Sequence, residues 1–513
     1  MFLLVLSMLC GWTIQVLDTT GRPVDGAAII ADGELLGHAD SCGIFSSDAR
    51  STPARVEVLA PGYGAGWLAP GDSTVLLEPR RDGWGTVVTV SAARPGLRDL
   101  LPSTAVVSGK ALESASLDGF ATLSATTPGF HAREYGGALP VTSVSTRGAE
   151  PGHTVFSVAG HRFDTARDGL PGALIEPALF GAMEIGRGGA SGLRNGGLAG
   201  AVNLVPGSHL NPPSALVSLD SRGASMALAR FSLGPGRMAS CLRRLRGRSD
   251  GRGWSSSVLL SLDGGAASDC GLLLSAAEGD IEEPDWAVPS DATRRQSSAD
   301  AWASRWAGPF RISGGFHVAG LEYDTDGKEG PEPPDAHGDG SADVSIEARL
   351  DGPGFLDQII PGVGLRSEWM SSSVLGARAR ETADLSLRQS AGFGRLAVAS
   401  TLRLEVCGHS ASQWGAMVGI GLCILEEGRL ELGLNASRSF RRPTFNDLYW
   451  PADQFAEGNP SLQPETGLEA ELALSTRPLD GVELHGSAFI ADITDMMIWL
   501  PQQGGAWSPD NVG

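Results

Sequence analysis

In the seven residues LEAELAL, 468–474, apolar side chains recur at every second position, with Glu469 and Glu471 between them. This period of two places the apolar side chains on one face of a β-strand and the glutamates on the other. The same alternation recurs in residues 396–406, 414–424 and 430–435. Segments of about ten residues with this pattern are typical of a lipid-facing β-barrel wall, because strands of soluble sandwiches average only about five or six residues. We therefore expect an antiparallel transmembrane β-barrel over residues 207–513, with a soluble β protein as the alternative.

The composition supports a mainly β chain and excludes several functions. The 513 residues carry a formal charge of −20, and this acidic balance argues against nucleic acid as a partner. The 70 glycines fit a chain that is rich in turns and close backbone approaches. The six cysteines form no C-x-x-C pair, which argues against a zinc site or a dense disulfide framework. No cofactor is expected.

Two predicted segments precede the main body of the chain. Residues 1–12, MFLLVLSMLCGW, are too short to span a bilayer as a helix and have the length of a signal-peptide core. We expect them to direct export, with a buried first strand as the alternative. Residues 13–78 show short β runs between Gly, Asp and Pro turn signals, which predicts a small β-sandwich. Its segments 21–27 and 43–45 resemble the carboxypeptidase-regulatory-like domain, and the resemblance implies a periplasmic structural module without peptidase activity.

A series of glycine-containing segments follows, in residues 96–206. It includes SVSTRG at 143–148, MEIGRGGASG at 183–192 and GAVN at 200–203. In this order the segments resemble the plug of TonB-dependent outer-membrane receptors, which implies an α+β domain folded inside the barrel. The β-prone run in the linker, residues 79–95, then lies where those receptors carry the TonB box. Its five residues are Thr86, Val87, Val88, Thr89 and Val90.

The segments FRRPTFNDLYWP, 440–451, and EGNPSLQPET, 457–466, resemble the barrel motif of the same receptors, particularly the cobalamin and siderophore branch. This resemblance implies import of a metal chelate across the outer membrane, with outer-membrane lipid and the inner-membrane TonB complex as partners. A non-transporting surface receptor or structural barrel is the alternative. An enzyme is not expected, because His131, His153, His161 and His337 have no acidic or Cys neighbours at catalytic or metal-binding spacing.

The length of the barrel region differs from that of the receptors it resembles. At roughly 20 residues per strand and connection, residues 207–513 suffice for about 15 to 17 strands of a 22-stranded wall. We therefore expect an incomplete barrel from a C-terminally truncated chain, with a smaller natural barrel as the alternative.

The resemblance also identifies residues that hold the plug. Arg147 and Arg187 stand at the two plug-arginine positions of the family, and Glu471 stands at the first matching position of the wall. The alternation around Leu468 directs Glu471 to the barrel interior, where a guanidinium can hold a carboxylate through two parallel hydrogen bonds. We expect one of the two arginines to lie within salt-bridge reach of Glu471. The other would lack its family partner, which would lie beyond Gly513.

An acidic segment is a weaker candidate for a metal site. Asp324, Asp326, Asp335 and Asp339 cluster within a short stretch, and Ca²⁺ prefers carboxylate oxygens on flexible loops. A solvated loop without an ion is the alternative.

Overall fold

The structure is a computed structural model of the chain. It describes residues 12–18, 23–24, 27–31, 34–40, 42–47, 56–59, 66–68, 73–77, 104–108, 112, 120–135, 138–139, 141–170, 176–189, 197–206, 214–219, 223–233, 236–246, 251–263, 268–281, 292–324, 333–352, 356, 358–393, 396–408, 410–425, 430–479 and 482–513. The predicted signal peptide up to residue 11, the linker with its TonB box, and Asp326 lie outside the described residues.

The chain divides into two compact units, residues 1–89 with 425–431, and residues 90–424 with 432–513. In the first unit two small sheets have the strand orders β4-β1-β7 and β3-β2-β5-β6. Ile14 and Val16 of one sheet and Ile29 and Val58 of the other are buried in a single apolar cluster. The strands are β1 Trp12–Asp18, β2 Ala28–Ala31, β3 Glu34–His38, β4 Ile44–Ser47, β5 Val56–Leu59, β6 Gly66–Leu68 and β7 Thr74–Leu77.

The second unit begins with a domain that we call the inner domain, the described residues between 104 and 206. Its sheet has the order β12-β11-β14-β13-β8, and β9 pairs with β10. Phe120 of α1 packs edge-on against Phe156 of β11, with 5.7 Å between ring centroids, at the centre of the apolar core. The elements are β8 Thr104–Ser108, α1 Phe120–Thr126, β9 Phe130–Tyr135, β10 Val141–Thr146, β11 Thr154–Val158, β12 His161–Arg162, β13 Phe180–Arg187 and β14 Gly200–Pro206.

A large sheet, which we call the wall, makes up the rest of this unit. Among the described residues it has 16 strands, with a continuous path from β15 to β30 and with β23 paired beside β24. The strands are β15 Ser214–Leu219, β16 Ser225–Leu233, β17 Gly236–Arg246, β18 Arg252–Asp263, β19 Ser268–Asp280, β20 Thr293–Ala307, β21 Phe310–Asp324, β22 Asp335–Ala348, β23 Leu350–Asp351, β24 Gln358–Ser372, β25 Gly376–Phe393, β26 Leu396–Cys407, β27 Ser410–Leu425, β28 Leu430–Arg441, β29 Glu465–Leu479 and β30 Val482–Thr494.

The two faces of the wall follow the alternation of its sequence. Leu468 is 59% exposed, whereas Glu471 is 3% exposed. Apolar side chains on the outer face are exposed along the strands from β25 to β29. They are Leu385, Leu402, Leu404, Val406, Trp414, Val418, Ile420, Leu422, Leu434, Leu472 and Leu474. Charged side chains of the intervening positions are buried, including Arg403, Glu405 and Glu431. This is the apolar-out, polar-in arrangement that the sequence predicts. The strands from β25 to β29 that carry it have 12 to 18 residues and are longer than the ten expected.

The connections between wall strands differ at the two ends of the sheet. The longer ones, from Asp280 to Thr293, from Asp324 to Asp335 and from Arg441 to Glu465, share one end, which we call the long-loop end. The last of them contains the short helix α2, Phe445–Tyr449, which starts with a capping box between Thr444 and Asp447. At the same end β31, Met496–Pro501, and β32, Trp507–Val512, pair to form the outer hairpin.

Among the helices that the structure describes, none has the length and apolar character needed to cross a membrane.

The inner domain approaches the wall closely at Gly279 of β19. A Cβ atom at this position would lie 2.7 Å from Cβ and 2.9 Å from the backbone N of Leu139 in the inner domain. Leu139 is buried there against Leu245 and Ala277 of the wall. We expect Gly279→Ala to lower the free energy of unfolding by about 1–3 kcal/mol, because the added methyl group must push the inner domain away. Denaturant titration of the purified protein in detergent micelles measures this.

The matched control is Gly486→Ala in β30, where an added Cβ meets nothing within 4 Å. Alanine loses less backbone entropy than glycine in a strand, so this control should keep or slightly raise the free energy of unfolding. Equal effects of the two substitutions would contradict the close approach at Gly279.

Candidate functional site

A charged contact between the inner domain and the wall is centred on Arg147. This residue follows β10 in a turn where Arg147 has φ 55° and Gly148 has φ 74°, and its backbone N–H donates to Gly129 O at 2.9 Å. The turn directs the side chain at β29. Nη2 lies 2.6 Å from Oε1 of Glu471, and Nη1 donates to Oε1 of Glu469.

The contact is shielded from solvent. The side chains of Arg147, Glu469 and Glu471 are 5%, 8% and 0% exposed. The guanidinium carbon of Arg147 also lies 4.2 Å from the ring centroid of Phe489 in β30, which adds a cation–π contact. One guanidinium therefore neutralises part of the charge of two buried carboxylates, with charge-assisted hydrogen bonds to both.

Arg187 lies beside this contact and has a different hydrogen-bond partner. Its Nη1 donates to the carbonyl oxygen of Pro128 at 2.6 Å. Burial lowers the pKa of the Arg187 guanidinium, and the nearby positive charge of Arg147 lowers it further, while Glu471 raises it. Of the two arginines proposed to hold the plug, Arg147 contacts Glu471. Arg187 is hydrogen-bonded to Pro128 of the inner domain.

Glu469 is a partner that the sequence reasoning missed. It has the same parity as Glu471 and so lies on the same inward face of β29. That parity was the available signal, but the family resemblance implies only Glu471. Arg147 therefore has two carboxylate partners, the expected Glu471 and, two residues earlier in β29, Glu469.

Further polar contacts join the inner domain to other strands of the wall. His161 Nδ1 lies 3.0 Å from Asp343 Oδ2 of β22, and Glu176 Oε2 lies 3.0 Å from Nη1 of Arg243 in β17. Burial raises the pKa of the Glu176 carboxyl, although Arg243 opposes this shift. The inner domain is thus held at several positions along the wall. The acidic partner of His161 is 182 residues away, so no local spacing could have revealed it.

The three calcium candidates that the structure describes, Asp324, Asp335 and Asp339, have separate surroundings. Asp339 Oδ2 accepts from Arg167 Nε at 3.1 Å, and Asp335 accepts from the hydroxyl of Ser373 at 3.3 Å. Asp324 ends β21, opposite Thr293. Among the residues that the structure describes, no group of three or more His, Cys, Asp or Glu side chains is placed to hold a metal ion.

A cavity of about 340 Å³ borders the Arg147 turn. Arg147, Glu150 and Glu469 supply its polar lining, and Leu198 and Phe489 are among its apolar lining residues. The buried contact of Arg147 with Glu469 and Glu471 therefore lies at the edge of this cavity.

We expect Arg147→Met to destabilise the inner domain by about 3–5 kcal/mol, because it leaves two buried carboxylates without their cation. The triple change Arg147→Met, Glu469→Gln and Glu471→Gln should recover most of that loss, because no buried charge then lacks a partner. Denaturant titration in detergent micelles, read out by protease cleavage within residues 130–206, measures both.

Arg295→Met is the matched control, because Arg295 forms an ion pair with Glu278 on the exposed face of the wall, with side chains 60% and 36% exposed. It should change stability by about 1 kcal/mol or less. If Arg147→Met is no more destabilising than Arg295→Met, the buried contact does not hold the inner domain.

Comparisons with known proteins match both the sequence and the fold. Over 94 residues the chain is 39% identical to "Vitamin B12 transporter BtuB" of Vibrio vulnificus strain YJ016, which covers 18% of this chain and 14% of the relative. A second protein of that name, from Vibrio vulnificus strain CMCP6, is 20% identical over 478 residues, covering 83% of this chain and 73% of the relative. The first match therefore spans much less than two thirds of the relative's length.

Solved structures share the fold at low sequence identity. The hemophore receptor HasR of Serratia marcescens has a TM-score of 0.65 at 13% identity, covering 80% of this chain and 77% of that one. The ferric enterobactin receptor PfeA of Pseudomonas aeruginosa has a TM-score of 0.62 at 10% identity, covering 82% and 77%. The family model described as "TonB dependent receptor-like, beta-barrel" matches residues 246–513, more than half of the chain. Because this match covers more than half of the chain, the chain belongs to the TonB-dependent receptor family.

Proposed function

We propose that this protein is an outer-membrane receptor that binds a scarce metal chelate, a siderophore complex or a cobalamin, and imports it with energy delivered by TonB. The observation that carries the proposal is the inner domain, which is tied to several wall strands by buried ion pairs. A domain held in this way obstructs free diffusion along the wall. Passage of a large solute then requires work to move the inner domain.

The similar proteins favour this class of cargo. The relatives are named vitamin B12 transporters, and the similar structures are receptors for ferric enterobactin and for a hemophore with heme. These cargoes share a metal held in a large organic chelate. The family model and the relatives describe receptors and transporters, not enzymes, which agrees with this proposal.

The proposal assigns a side of the membrane to each part of the chain. Barrels of the outer membrane have short periplasmic turns and longer extracellular loops, so the long-loop end faces the outside. Residues 1–12 direct export, and residues 13–78 lie in the periplasm. The inner domain acts as the plug, and the TonB box at residues 86–90 contacts TonB from the periplasmic side.

Removal of residues 86–90 tests whether the receptor is energised. In a Gram-negative host without its own cobalamin, heme and ferric-siderophore receptors, the native chain should take up at least one of labelled cyanocobalamin, heme and ferric enterobactin. The deletion should abolish uptake and leave surface binding of the same compound unchanged, because binding at the long-loop end needs no energy.

The matched control removes residues 91–95, an equal length of the same linker, and should retain uptake. A host without TonB should reproduce the effect of deleting residues 86–90. If uptake survives both the deletion and the loss of TonB, the importer proposal is wrong. Binding by the native chain without uptake would instead indicate a surface receptor that does not transport.

A further inference from the structure

One buried carboxylate joins the outer hairpin to the inner domain. The side chain of Glu465, at the start of β29, is 0% exposed. Its Oε1 accepts from the backbone N–H of Met497 in the outer hairpin at 2.7 Å. Its Oε2 lies 2.8 Å from Nε2 of His153 in the inner domain. The two oxygens of one carboxylate therefore contact two separate parts of the fold.

Arg441, the last residue of β28, completes this junction. Its Nη1 donates to Glu465 Oε2 at 3.3 Å, and its Nη2 lies 3.6 Å from Asp447 Oδ2 in α2. Asp447 Oδ1 in turn accepts from the indole N–H of Trp499 in the outer hairpin at 3.1 Å. The outer hairpin is thus fixed to the junction twice, through Glu465 and through Asp447.

The guanidinium of Arg441 also lies directly against the inner domain at Gly152. A Cβ atom at Gly152 would lie 2.7 Å from Nη2 and 3.0 Å from the central carbon of the guanidinium. Only a glycine leaves room for this contact. A displacement of Arg441 therefore reaches Gly152 and His153 without an intervening side chain.

The backbone near the junction adds a parallel connection. The N–H groups of Phe445 and Asn446 in α2 donate to the carbonyls of Ala166 and Arg167 in the inner domain, each at 2.9 Å. On the other side of the turn, the carbonyl of His153 accepts from the N–H of Ala199 at 3.0 Å. These backbone N–H groups lie next to the junction, so hydrogen exchange can report the opening of their hydrogen bonds.

We propose that Glu465 and Arg441 are positioning residues that couple the outer hairpin thermodynamically to the inner-domain turn at residues 151–153, so that each stabilises the other. A buried carboxylate that loses one of its donors is left poorly solvated, so loosening the hairpin weakens the hold of Glu465 on His153. Such coupling is reciprocal by necessity. It goes beyond the proposed import function and needs no cargo.

Hydrogen exchange of the full chain in detergent micelles, resolved by mass spectrometry, tests the coupling from both sides. Trp499→Phe removes the indole donor and keeps an aromatic ring. It should speed exchange by about tenfold in the outer hairpin and in the peptide containing His153 and Thr154. Gly152→Ala displaces Arg441 from the inner-domain side and should speed exchange in the outer hairpin.

Two controls and one further variant separate coupling from general loss of stability. Trp507→Phe changes a half-exposed ring in the same hairpin and should leave exchange around His153 unchanged. Exchange in β9, Phe130–Tyr135, should stay the same in every variant. Arg441→Lys keeps the positive charge but cannot contact Glu465 and Asp447 at the same time. It should therefore reproduce the effect of Gly152→Ala.

The proposal is overturned if Trp499→Phe speeds exchange only in the outer hairpin, or if Gly152→Ala and Arg441→Lys speed exchange only in the inner domain. Uniformly faster exchange that includes β9 would likewise overturn it, because that result indicates global destabilisation. None of these results depends on uptake, so the import function can fail while the coupling stands, and the coupling can fail while import stands.

Discussion

The structure depends on one constraint, which is that every charge buried on the inner face of the wall needs a partner. A neighbouring wall strand supplies it for Arg403, which pairs with Asp384, and the inner domain supplies it for Glu471. Glu471 has a side chain without solvent exposure, and Arg147 is the group that makes this tolerable. The outer face has the opposite requirement, because its leucines are exposed and need an apolar surrounding. The inner domain therefore supplies the counter-charge for part of the inner face, and the outer face requires an apolar surrounding.

The energetics of such pairs favour specificity over net stability. Removing two ions from water costs about as much as their mutual attraction returns, so each buried pair contributes little to the stability of the whole. Separating the partners within a dry interface is much more costly, because one charge is then buried alone. Arg167 with Asp339 and Glu176 with Arg243 repeat this arrangement on other strands. The inner domain is thus held in one position against partial displacement.

The sequence predicted the parts of this arrangement that follow local rules. The alternation around Leu468 predicted the orientation of Glu471, whereas the family resemblance offered Arg147 and Arg187 as partners without choosing between them. Glu469 shares the parity of Glu471, yet the reach of one guanidinium to both carboxylates depends on the positive φ of Arg147, which alternation does not reveal. The pairs of His153 and His161 join residues distant in the chain, so only the assembled fold shows them. Residues 86–90 lie outside the described residues, and their role stays a prediction.

The position of these contacts also bears on how the inner domain can move. Glu465, Glu469 and Glu471 lie on one face of a single strand and bind His153 and Arg147, the residues on either side of one inner-domain turn. The cavity beside this turn gives water a place from which to enter. Attraction between two charges is roughly fourfold weaker in water than at the effective dielectric constant of about 20 near a protein surface. A displacement that admitted water to one of these contacts would therefore weaken its neighbours on the same strand as well, because all of them lie within one inner-domain segment.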